Sequence, residues 1–413
     1  MKIFYLETPS IGYHNGIGTY LNNLLYGITS INFQCNLYYL KISFNEDQCS
    51  FQKEKIKINN QNITYINLVI KKKIMVQNGD YLLSENDCRS ILCVISEYLN
   101  DEKIIFHLNT IIEYKFVLIL KEYGIKVVYT QHVALWEILY NNNFSDFQKD
   151  VKLLKTDELQ DYKGNLKSIC IDKINCKSSD ATICLNEKTK EILSEYYHLP
   201  QSNIYVIANG LKSSEKTIKK KRIDILRRYG FDQNEYLILF VGRLIPDKGL
   251  DDLITVFQNI SPKYPNFRLL IAGRGNIERY LLKYQKSCGK ITFFGQVSQE
   301  VLGDLHAITD IGILPSKTEQ SSFVVLEMMR NKTPLIVSDI YAYYSNLYDQ
   351  CFLKTKVHNG NIDLNHLESN ILKFYRNPIL AKQYADTAFK SYSMNFQATK
   401  MALHTTNIYN DII

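Results

Sequence analysis

Short apolar runs of strand length alternate along this chain with longer stretches whose apolar residues recur at helical spacing. That alternation predicts an α/β protein. Lys2–Leu6 reads as a first strand. A loop is expected to Asn15, then a helix from Ile17 to about Ile28. Further strands are predicted at Asn36–Leu40, Thr64–Leu68, Ile104–Leu108, Val127–Thr130 and Ala181–Leu185. Helices are predicted over Asp87–Leu99, Thr110–Glu122, Asn165–Lys177 and Glu187–Tyr197. Residues 41–63 are polar and charged and read as a hairpin or loop insertion.

The second half repeats the theme. Tyr236–Val241 is a nearly unbroken apolar run, as a parallel strand buried on both faces requires. Arg268–Ala272, Ile291–Phe294, Ile311–Leu314 and Pro334–Val337 look alike. Helices fill Leu250–Lys263, Ile277–Cys288, Ser298–Ala307 and Ser322–Arg330. Five strands separated by helices make one doubly wound domain by themselves. The boundary falls near Ile207–Leu211, and polar, basic Lys212–Lys221 suits a connection. The tail, Ala381–Ile413, reads as a helix, a break at Ser391–Asn395 and a second helix.

Composition narrows the class. At 413 residues, two domains are expected. Hydrophobic residues at 46% and charged residues at 22% exclude wholesale disorder. No apolar run approaches the ~20 residues of a bilayer span. The first apolar stretch turns polar at Glu7, too early for a signal-peptide core. The nine cysteines are irregularly spaced and form no CxxC pair. They read as reduced thiols packed as small hydrophobes, which suits a cytoplasmic protein. The net charge is +7, partly clustered at Lys71–Lys73 and Lys219–Arg222. Such runs suit solvated faces or a peripheral contact with an anionic membrane at its inner face. No nucleic-acid module is recognisable.

Four segments carry candidate chemistry. Gly12–Tyr20, with Gly16 and Gly18, lies between a strand and a helix, where open α/β sheets bind ligands. A turn made for geometry and an anion-facing turn are both open readings. Gly242–Gly249 follows the apolar strand and sets Arg243 and Lys248 five residues apart on one loop. Arg can grip a diphosphate through two parallel donors, and Lys adds a mobile point charge. A solvated surface loop is the other reading. Glu319 is expected in a loop after a strand. Glu327 is expected half-buried in the next helix, about one and a half turns in. A carboxylate there needs donors: a ribose diol, or a salt bridge to Lys or Arg. His132 ends another strand; a lone His is more often a satisfied structural residue, and its strand-end place raises the functional reading. No Asp-x-Asp offers a seat for a divalent metal. GxxxxGK[ST] and GxSxG motifs are also missing.

These motifs resemble the GT-B retaining glycosyltransferases of family 4 (group 1). The family places Gly-Arg-Leu-x-x-x-Lys-Gly after a strand, and Gly242–Gly249 match it. It carries two glutamates separated by seven residues after Pro-Ser, as do Glu319 and Glu327 after Pro315-Ser316. Gly273 and Phe294–Val297 match further strand ends, so the resemblance spans roughly 205–340. Asn15–Tyr20 and Thr130–His132 are looser matches in the first half. The family commonly continues Glu-Gly-Phe-Gly, whereas this chain reads Glu319-Gln320-Ser321-Ser322.

The resemblance implies two doubly wound Rossmann-like domains facing a central cleft. Residues 1–208 would form the acceptor-side domain, with a C-terminal helix at about 392–413 packing back on it. Residues 209–391 would bind the nucleotide-sugar donor. Arg243 and Lys248 would hold the diphosphate, Glu327 the ribose and Glu319 the sugar hydroxyls. Backbone of Ser322 and Phe323 would meet sugar and phosphate, and Val297 the base. Gly242 and Gly273 would line the donor side. Gly16 would approach the diphosphate and His132 the sugar. No metal or other cofactor is implied. The expected activity is retaining transfer from a UDP- or GDP-sugar to a glycan, lipid-linked or other acceptor of a bacterial surface glycan. A nucleotide-sugar epimerase, a phosphorylase and a catalytically silent sugar-nucleotide binder are the alternatives.

Overall fold

The computed structural model describes residues 1–8, 14–59, 61–71, 83–100, 103–110, 114–140, 143–154, 159–213, 221–358 and 360–413. Expectations on Gly12, Tyr13, Lys72, Lys73, Lys219 and Lys220, and on the side chains of His14 and Asn15, lie outside the described residues. The chain divides into two compact units, Met1–Lys212 with Ala398–Ile413, and Ser213–Gln397.

The first unit holds strands β1 (Lys2–Glu7), β2 (Asn36–Asn45), β3 (Ser50–Ile58), β4 (Gln61–Lys71), β5 (Ile104–Leu108), β6 (Lys126–Gln131), β7 (Ala181–Cys184) and β8 (Ile204–Val206). Its helices are α1 (His14–Ser30), α2 (Glu85–Val94), α3 (Tyr114–Glu122), α4 (Leu135–Leu139), α5 (Phe144–Leu153), α6 (Gly164–Ser178) and α7 (Glu187–Glu195). The strand order is β3-β4-β2-β1-β5-β6-β7-β8. Only β3 runs antiparallel, against β4. It is the edge strand and largely exposed, and its Lys and Glu residues deter pairing with another chain. The central strands have buried middles: Ile3 to Leu6 and Ile105 to Phe106 are inaccessible to solvent.

The second unit opens with α8 (Arg222–Tyr229). It then alternates β9 (Tyr236–Val241), α9 (Leu250–Ile260), β10 (Phe267–Ala272), α10 (Ile277–Lys283), β11 (Ile291–Gly295), α11 (Gln299–Ile308), β12 (Ile311–Leu314), α12 (Phe323–Arg330) and β13 (Leu335–Ser338). β14 (Leu353–Thr355), the short antiparallel pair β15 (Val357–His358) and β16 (Asn361–Ile362), α13 (Leu364–Arg376) and α14 (Pro378–Asn395) follow. Its parallel sheet has the order β11-β10-β9-β12-β13-β14. Leu237 to Phe240 are buried on both faces, as their unbroken apolar run requires. The last helix, α15 (Ala398–Ile412), belongs to the first unit and packs on α1.

Several element boundaries differ from the sequence expectation. α1 begins at His14, so Gly16 lies in its first turn rather than in a loop. The polar stretch 41–63 is a β-hairpin, with β2 running on to Asn45. The tail breaks at Phe396 rather than at Ser391–Asn395. Asn395 donates to the Ser391 hydroxyl within the helix, Ser391 donates to the Leu347 carbonyl, and Phe396 at the break is buried. Among the described residues, no helix is long and apolar enough to cross a membrane.

Candidate functional site

The strand order fixes where ligands can bind. In the second unit the chain lays β9, β10 and β11 to one side, then crosses back to lay β12, β13 and β14 to the other. The switch falls between β9 and β12. Loops leaving the carboxyl ends of such strands diverge and leave a crevice. The two segments with the strongest sequence signal, Gly242–Gly249 and Pro315–Ser322, are the loops that leave β9 and β12.

Local contacts hold these two loops against each other. Gly249 sits at φ 67°, and a methyl group there would lie 2.0 Å from the Pro315 carbonyl oxygen. Only glycine meets both the left-handed backbone and the close approach. The Lys317 N–H donates to the Asp247 carbonyl at 2.8 Å. Lys248 Nζ then reaches Glu319 Oε1 at 2.5 Å, with both side chains mostly buried. The structure therefore joins a predicted diphosphate ligand and a predicted sugar ligand in one ion pair.

The neighbouring strand ends are laced together in the same way. The Gly242 N–H donates to Ala272 (3.0 Å), Leu244 to Arg274 (2.8 Å) and Gly273 to Gly295 (2.7 Å). A methyl on Gly273 would lie 1.7 Å from the Gly242 carbonyl oxygen, so these two glycine positions touch. Arg243, which follows Gly242 in the chain, is half-buried, and half-buried Val297 follows the end of β11. Gly242, Arg243, Gly273 and Val297 thus line adjacent strand ends.

The helix after β12 supplies the other candidates. Ser322 is the N-cap residue of α12, yet its hydroxyl makes no capping bond. First-turn N–H groups, beginning at Phe323, have no partner within a helix. They and the helix dipole favour an anion. Glu327 is 9% exposed. Its carboxylate accepts no hydrogen bond and forms no ion pair among the described residues. Burial pushes its carboxyl up to about 7, while the Arg330 charge opposes the rise. The salt-bridge reading is therefore not what the structure shows. Gln320 and Ser321, which stand where Gly-Phe is the common reading, are both buried, and Ser322, at the second glycine position, is half-buried. Ser321 bonds the hydroxyl of Tyr348, which stacks on Phe396 at 5.0 Å.

The first unit has its own switch point, between β1 and β5. Thr8 and Thr110, just past these strands, bond each other at 2.8 Å. His132 follows β6 and is half-buried. Its Nε2 meets Asn109 Oδ1 at 3.1 Å, and the Tyr20 ring edge packs on it at 4.5 Å. Burial lowers its imidazolium to about 3, so the ring is neutral. Gly16 is exposed one turn before Tyr20 on α1. Deeper lies a chain of hydroxyls and imidazole. Tyr5 meets Tyr409 at 3.0 Å, and Tyr409 meets His107 Nδ1 at 2.6 Å. His107 Nε2 meets Thr130 at 2.6 Å, and Thr130 meets Tyr20 at 3.3 Å. Sequence reading missed Asn109 and His107. The polar Asn109-Thr110 pair after the strand Ile104–Leu108, and the histidine within that strand, were the available signals.

Residues 221–391 match the family described as glycosyl transferases group 1. An uncharacterized glycosyltransferase of Methanocaldococcus jannaschii is 32% identical over 186 residues, covering 43% of this chain and 47% of that protein. The chain spans about half the length of the curated relatives it matches. Among solved structures, sucrose-phosphate synthase from Thermosynechococcus elongatus aligns with TM-score 0.73 at 15% identity, covering 100% of this chain and 98% of that one. Anabaena HepE in complex with UDP and glucose aligns with TM-score 0.68 at 13% identity over 99% of both chains. The chain has the GT-B fold of these glycosyltransferase structures, built from two Rossmann-like α/β units.

Proposed function

We propose that the chain is a retaining, metal-independent glycosyltransferase of family 4. It would move a sugar from a UDP- or GDP-sugar to an acceptor of a bacterial surface glycan or glycoconjugate. The observation that carries this reading is the switch-point crevice of the second unit. There Lys248 and Glu319 are paired, and Glu327 is a buried carboxylate with no protein partner among the described residues. The group 1 match covers the same residues, and a structural neighbour was solved with UDP and glucose.

In this reading Ser213–Gln397 binds the donor and the first unit selects the acceptor. Breaking the anomeric carbon–phosphate bond puts negative charge on the departing diphosphate and positive character on the sugar ring. Arg243, Lys248 and the first-turn N–H groups of α12 neutralise the diphosphate, the largest single aid to such a step. They supply that charge without a metal. Glu319 then faces sugar hydroxyls as Lys248 turns to the incoming phosphate. Glu327 accepts from two ribose hydroxyls. The backbone near Val297 meets the base, Gly242 and Gly273 admit the diphosphate closely, and His132 and Gly16 serve from the first unit. The reaction would run in the cytoplasm, with peripheral contact at an anionic membrane face. A thermal-shift screen of UDP- and GDP-sugars followed by a hydrolysis assay tests the reading. One sugar nucleotide should stabilise and be hydrolysed, and Arg243→Ala should abolish both. Stabilisation by none of them overturns it. Tight binding with neither hydrolysis nor transfer identifies a silent binder.

A further inference from the structure

The first unit's switch point holds a hydrogen-bond arrangement that decides which face of His132 a substrate meets. Asn109 is 2% exposed and sits directly after β5. Its side-chain nitrogen lies 3.2 Å from the Leu6 carbonyl and 3.2 Å from the His107 carbonyl. Carbonyl oxygens only accept, so the amide must turn its NH2 toward them. Rotating the amide would bring its oxygen against two carbonyl oxygens. The Asn109 oxygen is thereby fixed toward His132, 3.1 Å from Nε2. An oxygen acceptor at that distance requires a hydrogen on Nε2. In a neutral ring the other nitrogen, Nδ1, then carries the lone pair. Nδ1 has no hydrogen-bond partner among the described residues. The Tyr20 ring, at 70° to the imidazole, closes one side and holds it in this pose.

The geometry points to Asn109 as the positioning residue that holds His132 in the Nε2–H tautomer and presents Nδ1 as a hydrogen-bond acceptor to a substrate hydroxyl. Two strand-end carbonyls, from β1 and β5, orient the amide, the amide orients the ring, and the ring selects a ligand group that donates. This deepens the glycosyltransferase reading, since the role of His132 toward a sugar rests on it. The tautomer itself is a property of the ligand-free chain.

The test is long-range proton–nitrogen correlation NMR on histidine-labelled full-length protein near neutral pH. His132 is assigned by the signal that His132→Gln removes. The expected result is a protonated Nε2, an unprotonated Nδ1 and a slowly exchanging Nε2 proton. In Asn109→Leu that proton should exchange at least about tenfold faster, the factor for losing one buried hydrogen bond, and the Nδ1–H form should appear. Circular dichroism checks that the variant folds. A wild-type ring protonated at Nδ1, or cationic, overturns the proposal even if the variant does not fold. A folded Asn109→Leu protein with unchanged exchange overturns it as well. None of these readouts needs a substrate, so failure of the transferase reading is seen separately, as absence of donor hydrolysis.

Discussion

Two buried carboxylates, one in each unit, teach opposite lessons. Asp172 on α6 and Glu327 on α12 are both pushed up to about 7, and in both burial is the largest cause. Asp172 accepts from Tyr129 (3.2 Å), Gln131 (2.5 Å) and Tyr197 (2.9 Å). Three donors meet it inside the protein, so it ties β6 and α6 together. Glu327 is buried too and has no such donors among the described residues. A desolvated acceptor without donors is destabilising by itself. It persists where a bound molecule can supply the missing hydrogens. Similar titration thus hides an acid met by protein donors and an acid left open to the proposed ribose hydroxyls, and only the partner geometry separates them.

The comparison can be broken in four ways. Lys248→Ala should cut donor hydrolysis by ~10²-fold or more, the scale of one oriented donor lost from a transition state. Asp172→Asn should leave it within about threefold, since that residue is met only inside the protein. Equal losses in the two variants would erase the distinction. Glu327→Gln should weaken donor binding about tenfold at pH 8, as for losing hydrogen bonds to a charged acceptor. Wild-type affinity should rise with pH through about 7, because the ionised form accepts both ribose hydroxyls. The glutamine variant should show no such rise in calorimetric titrations at pH 6 and 8.

Gly249→Ala should lower the melting temperature by a few degrees, since a left-handed non-glycine residue costs about 1–2 kcal/mol. Overlap with the Pro315 carbonyl adds to that cost. An unchanged melting curve would mean that the two loops do not lean on each other. The smallest effect belongs to Asp172→Asn. The folded chain holds the Asp172 proton more tightly than its ordinary value of 3.8. Its contribution is therefore complete below that value and is lost as pH rises through about 7. The melting-temperature advantage of wild type over Asp172→Asn should shrink from pH 5 to pH 8. A constant gap would show that the acid does not titrate in the fold.

Much of the fold was legible because parallel strands buried on both faces need unbroken apolar runs. Tyr236–Val241 and Ile311–Leu314 were read to the residue for that reason. β14 was missed, since Leu353-Lys354-Thr355 is three residues long and carries a lysine. α4 was missed because five residues give little periodicity to detect, and α5, α8 and α13 also went unread. The Arg243–Lys248 and Glu319–Glu327 motifs were legible as local spacings. The Lys248–Glu319 pair was not, because it depends on a register between loops 71 residues apart. Asn109 was invisible for a related reason. Its meaning lies in two carbonyls, one of them 103 residues away, and those carbonyls exist as a pair only once β1 and β5 are neighbours.

The return of α15 to the first unit has a consequence for synthesis. Tyr5 and Tyr409, 404 residues apart, share a hydrogen bond, and Tyr409 also closes the bond to His107. A ribosome releases the start of the chain long before its end, and domains generally fold as they emerge. Ser213–Gln397 is contiguous and can complete itself on the way out. The unit begun first must wait for the Tyr409 bonds to Tyr5 and to His107 Nδ1 until α15 leaves the tunnel. A nascent chain halted before residue 398 would hold a finished Ser213–Gln397 unit and an unfinished first unit, so α15 acts as the latch that closes the unit begun first.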